Sequence, residues 1–174
     1  MLKPQDVSVT IQLLEPDSPS PTYASLATDL KLSQSEAHSA VSRAVQAGLL
    51  ASISEPKATM PVPVRRCVSE FFIHGLKYIW PAKRGAVSRG IPTASSFPPL
   101  TEELGLSDSA LPIVWANPNG SVRGETIEPL YSRAPEACEE NPFLYHWLAL
   151  LDIVRLRTGR EADLAARAIF TRLQ

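Results

Sequence analysis

Between Tyr23 and Leu50 the apolar positions recur at helical spacing, with one interruption, and this stretch predicts two helices joined by a tight turn. Tyr23, Leu26, Ala27 and Leu30 form one stripe, and Ala37, Ala40, Val41, Ala44 and Val45 form a second. Lys31, Leu32 and Ser33 connect them, with Leu32 able to tuck into the angle between the helices. Ser33 followed three residues later by Glu36 is a capping box, in which hydroxyl and carboxylate each take an orphan backbone N–H. Gly48 ends the second helix, and Leu49 and Leu50 lead out towards a strand. The small residues on the inner face let the two helices cross closely, as a helix-turn-helix requires.

Upstream, residues 4–14 suit a helix through Pro4 in its first turn, while the alternating β-branched residues also fit a strand. The proline-rich linker 15–21 precedes the helix of Tyr23, which a Ser or Thr beside Pro21 would cap. Downstream, 49–53 and 60–64 read as two short strands around a turn at 55–58, the size of a β-wing. Pro61 and Pro63 remove ladder donors from the return strand. A helix follows from Arg65 to Trp80, with Val68, Phe71, Phe72, Leu76 and Ile79 on its apolar face, Cys67 and Tyr78 beside it, and His74 part-buried among them.

Residues 81–92 read as a glycine-punctuated loop, and 93–112 as a Pro/Ser/Thr-rich connection with a short helix at Pro99–Leu104. Asn119-Gly120 is a strong signal for a β-hairpin pairing Ile113–Ala116 with Val122–Ile127. Asn141-Pro142 opens a helix carrying Phe143, Leu144, Trp147, Leu148, Leu151 and Val154. After a break at Thr158-Gly159, Leu164, Ala165, Ala168, Ile169 and Leu173 mark another. The two form an antiparallel hairpin or a bent pair, and their stripe suits a core or a dimer interface.

The pattern predicts an α+β, mainly helical fold. It has a winged helix-turn-helix over 1–64, a linking helix and basic loop over 65–92, and a C-terminal region of β-hairpin and helical hairpin over 93–174 for dimerisation or partner binding.

Composition narrows this picture. At 174 residues and 44% hydrophobic, the chain can bury a sizeable core. It has no apolar run of transmembrane length and no signal-peptide pattern. Cys67 and Cys138 supply neither a disulfide framework nor a ligand pair, so a reducing cytoplasm is the simplest setting. The formal charge of −1 is uneven: residues 1–92 carry +3 and residues 93–174 carry −4. A basic half beside an acidic half fits a DNA-contacting module joined to something that leaves DNA alone.

The polar face of the second helix of the pair holds the candidate chemistry: Gln34, Ser35, His38, Ser39, Ser42, Arg43 and Gln46. Gln, Ser, His and Arg side chains hydrogen-bond base edges and phosphates, which suits a helix laid in a major groove; an ordinary solvated face has the same composition. Lys57 at the wing tip, Arg65, and the loop cations Lys83, Arg84 and Arg89 are candidate phosphate contacts. No hydrolase, Rossmann or P-loop motif is present, and His38, His74 and His146 are too dispersed for a metal site. The reading is therefore of a non-enzyme without cofactor or metal, partnered by double-stranded DNA, as a homodimer, away from membranes.

On the stretch YASLATDLKLSQSEAHSAVSRAVQAGLL, the N-terminal third resembles the winged helix-turn-helix of MarR-like bacterial transcriptional regulators. The remainder, with RGIPTASSFPPL and LDIVRLRTGREADLA, does not look like a MarR dimerisation helix pair. It is vaguely similar to regulators and antitoxins encoded beside abortive-infection or nucleotidyltransferase genes. That resemblance implies operon autoregulation and a second half that binds a protein partner. Two functions follow from the whole: a sequence-specific DNA-binding regulator, or a protein-interaction module such as an antitoxin or defence-complex subunit.

Overall fold

The computed structural model describes residues 1–16, 21–52, 60–106, 111–156 and 159–174. The chain is α+β and mainly helical. The ambiguous first segment is a helix, α1 (Pro4–Gln12), whose last seven residues are buried. Thr22 caps α2 (Tyr23–Asp29) by accepting from the Ser25 N–H at 3.1 Å, and Ser25 Oγ accepts from the Thr22 N–H at 2.9 Å.

The capping box of α3 (Gln34–Gln46) forms as expected, with Ser33 N–H on Glu36 Oε2 at 2.9 Å and Glu36 N–H on Ser33 Oγ at 3.2 Å. The Ser33 N–H, and after it the Ser33 hydroxyl donating to Glu36 Oε2 at 2.7 Å, hold the Glu36 carboxyl below its usual range. At the other end Gly48 has φ +75°, which only glycine adopts freely. Leu49 N–H returns to Ala44 O and Gly48 N–H to Val45 O, both at 3.0 Å, closing a Schellman motif. Both ends of α3 are therefore pinned.

Beyond Gly48, β1 (Leu50–Ala51) pairs antiparallel with β2 (Val62–Pro63), a ribbon shorter than the pattern predicts. The next helix is continuous but not regular: α4 (Arg65–Glu70) passes through a π turn at Phe71–Gly75 into α5 (Leu76–Ile79). The wider π turn slows the rotation of the face, so Val68, Phe72 and Leu76 stay aligned and buried. Ile79, expected on that face, is 53% exposed, and His74, expected part-buried, is also exposed.

The largest departure lies between residues 81 and 127. Residues 87–92, expected in a loop, are strand β3 (Val87–Pro92). The strands β4 (Ile113–Ala116) and β5 (Val122–Thr126) exist but do not form the expected hairpin: they run parallel to each other. Both pair antiparallel with β3, β5 along its first part and β4 along its last, and the three close into a small barrel. Asn119-Gly120 carries the chain across β3 instead of turning it back. Asn117 N–H donates to Arg89 O at 3.0 Å, and Gly120 N–H to Asn117 O at 3.0 Å. A Cβ on Gly120 would lie 2.2 Å from the Gly90 backbone, so the crossing requires glycine. Past β3 the chain makes a 3₁₀ turn at Ala94–Ser96 and then α6 (Pro98–Glu103), the short helix expected there.

Helix α7 (Ala134–Cys138) leads to α8 (Pro142–Leu156), and Asn141 opens α8 by accepting from the Leu144 N–H at 2.9 Å. From Trp147 to Arg155 every residue of α8 is buried, because α1, α5, α6, α7 and α9 (Gly159–Arg172) all pack on it. The hydrophobic core is continuous from Val7 to Leu173, with no gap at 64/65 or 92/93. Helix α9 folds back antiparallel: Arg172, near its end, reaches His146 Nε2 near the start of α8 at 2.6 Å, and Glu103 at the end of α6 at 2.7 Å.

A buried polar network ties the barrel to α8. Asp152, 1% exposed, accepts from Thr93 Oγ1 at 2.8 Å, Trp115 Nε1 at 2.8 Å and Arg155 Nη1 at 2.5 Å. Arg155, 4% exposed, also donates to Trp80 O at 2.8 Å and Glu128 O at 3.2 Å. Burial pushes the Asp152 carboxyl up, and its three donors pull the other way.

Candidate nucleic-acid interface

Helix α3 packs on α1, α2 and β1 through Ala37, Ala40, Val41 and Ala44, all buried. This leaves one long face outward. Gln34, Ser35, His38, Ser42 and Gln46 are exposed on it, and Ser39 is half-exposed. Ser35 and Ser42 are therefore open, and Ser39 is partly so. His38 rests against the ring of Tyr23 from α2, centroids 4.9 Å apart, which restricts its imidazole.

Arg43 is not part of this face. Its Nε and Nη2 donate to the two carboxylate oxygens of Asp6 at 2.8 and 2.6 Å, a bidentate pair with the fully buried Asp6 of α1. Asp6 also accepts from the Lys3 N–H at 2.8 Å. The hydrogen bond to Asp6 holds Arg43 still more firmly protonated than usual. Arg43 thus braces α3 against α1 and has no free donor fork for a base. The α3 pattern alone places Arg43 outward because its partner lies 37 residues away on another helix.

Removing Arg43 strands a buried carboxylate. Arg43→Ala is expected to lower stability by about 2–3 kcal/mol, read from the shift of a urea unfolding curve. A shift under about 0.5 kcal/mol would mean that the pair contributes no brace.

The other candidate cations do not converge. Lys57 lies outside the described residues. Arg65 is exposed at the start of α4, where its Nη1 donates to Arg172 O at 3.2 Å. Lys83 and Arg84 precede β3, and Arg84 is engaged with Glu125 at 2.6 Å. Arg89 stands on β3 itself, exposed. The three-cation clamp expected of a loop is therefore divided: Lys83 and Arg84 line one recess with Pro129, whereas Arg89 lines another with Arg123. Arg123 was not singled out by the sequence, because a lone arginine after Asn119-Gly120 carries no signal until its strand partner is known.

Among the described residues, no helix is long and apolar enough to cross a membrane, and no three His, Cys, Asp or Glu side chains gather as metal ligands. No family model matches the chain, and no curated protein and no solved structure is similar to it.

Proposed function

We propose that this protein is a transcriptional regulator that binds duplex DNA by laying α3 in the major groove. In this reading α2, α3 and the β1–β2 ribbon act as a winged helix-turn-helix. The observation that carries it is the outward face of α3: five exposed polar side chains on a helix held at both ends and braced by Asp6–Arg43. Thirteen residues span roughly 20 Å, enough to follow the groove floor across several base pairs. Gln34, Ser35, His38, Ser42 and Gln46 are the base-edge and phosphate contacts, and Ser39 contributes from the flank. A homodimer would read two half-sites one helical turn apart.

The test is a fluorescence-polarisation titration of the full chain against its own promoter duplex. Ser42→Glu places a carboxylate where phosphates approach, at an exposed position whose loss leaves the core intact. It is expected to weaken binding at least tenfold, about 1.4 kcal/mol, with an unchanged melting temperature. Promoter affinity unaltered by Ser42→Glu and by Gln34→Ala would overturn the reading.

A second reading, a module that binds a protein partner as antitoxins do, is favoured by the acidic C-terminal half and by the exposed Ile79 and Phe170. Co-purification of a neighbouring gene product, with no shift of promoter DNA, would favour it.

A further inference from the structure

Arg89 of β3 and Arg123 of β5 are direct register partners across antiparallel strands. Their side chains leave the same face of the barrel. The Arg89 carbonyl accepts from Asn117, on the side away from β5. Arg89–Arg123 is therefore a pair without mutual backbone hydrogen bonds, the narrow type, with Cα atoms roughly 4.5 Å apart. Like charges in that position repel, and strand pairing gains nothing from them.

Among the described residues, nothing nearby neutralises them. Both guanidinium groups are exposed, and among the described residues neither has an ion-pair partner. The acid on the same face, Glu125, has its carboxylate held by Arg84 at 2.6 Å. Ser88, Ser121 and Val87 complete a recess of about 450 Å³ around the two arginines. Two forked cations with the Ser121 hydroxyl beside them match an oxyanion that accepts from both sides, as a phosphodiester does. The net charge of −1 gives the molecule no general attraction for a polyanion, so any attraction must come from local patches of this kind.

We infer that Arg89 and Arg123, with Ser121 beside them, form a phosphate-binding site on the barrel that grips the backbone of duplex DNA. The ligand identity rests on the reading of α3 as a DNA-contacting helix; the site itself rests on the register of β3 and β5. Its contacts are with phosphates and carry no sequence information.

The test uses the full chain, titrated at several salt concentrations with the promoter duplex and with a scrambled duplex of equal length. Arg123→Ala and Arg123→Gln are each expected to weaken both duplexes by the same factor. Each should also reduce the slope of log affinity against log salt by about one. Relief of the like-charge pair should leave the melting temperature unchanged or raised. Unaltered affinity and slope in both variants would overturn the site, as would a lowered melting temperature in both, which would make Arg123 a structural residue. If Ser42→Glu leaves binding intact while the Arg123 variants weaken it, the α3 reading fails and this site stands; the reverse pattern removes this site alone. A wild-type chain that binds neither duplex removes both.

Discussion

Asp152→Ala is expected to destabilise the protein by about 3–5 kcal/mol, a large part of the total stability of a domain of this size. The loss does not come from packing, since a carboxylate contributes little apolar contact. It comes from what remains: a guanidinium that is 4% exposed loses its counter-charge, and Trp115 Nε1 loses its acceptor between the barrel and α8. Thr93 can turn its hydroxyl to another acceptor; the indole cannot. Asp152→Asn, which keeps the shape and one acceptor oxygen, should lie between the alanine variant and the wild type. Combining Asp152→Ala with Arg155→Met removes the stranded charge and should recover part of the loss. Urea unfolding followed by tryptophan fluorescence reads all of these. A loss below about 1 kcal/mol for Asp152→Ala would mean that water reaches the site and that the network does not hold the barrel to α8.

The second large effect is expected at the strand crossing. In Gly120→Ala the new methyl group would stand 2.2 Å from the carbonyl carbon and oxygen of Gly90, distances that no side-chain rotation can relieve. Either the 117–121 connection lifts off β3 or the barrel opens. We expect a loss of at least 3 kcal/mol, beyond ordinary overpacking because the obstacle is backbone. Hydrogen exchange provides the specific readout. The amides of Val122–Thr126 should lose protection first, while those of α3 and α8 change little. Uniform loss across the chain would instead tie the barrel to global folding, and wild-type stability would contradict the crossing altogether.

These two sites mark where reading the chain from its pattern stopped. Asp152 sits inside an apolar helical run, and nothing in the run says that Thr93, 59 residues earlier, and Trp115, 37 residues earlier, will meet it. Asn119-Gly120 favours a type I′ turn, but neither residue takes the positive φ that turn needs. The turn that forms centres on Pro118-Asn119, closed by Gly120 N–H on Asn117 O, and it does not choose which strand its outgoing arm joins. That choice depends on β3, whose residues carry too much glycine, arginine and proline to announce a strand. Arg43 was misplaced for a related reason: helical periodicity assigns a face, not a partner, and Asp6 competes for the guanidinium from another helix. Ile79 shows a smaller version, since a π turn shifts the phase on which the assignment relied.

What the chain determined by itself is the helical skeleton and its ends. The boundaries of α2, α3 and α8 follow from Thr22, Ser33, Gly48 and Asn141, because a helix satisfies its backbone within four residues and its caps are neighbours in sequence. What the tertiary structure decided is the barrel, the ion pair Asp6–Arg43, the burial of the local pair Asp152–Arg155 among its distant partners, and the cross-strand placement of Arg89 against Arg123. Strand pairing, the choice of Asp6 as partner for Arg43, and the meeting of Thr93 and Trp115 with Asp152 are settled between segments tens of residues apart. Only the packing of the whole core brings those segments to one place.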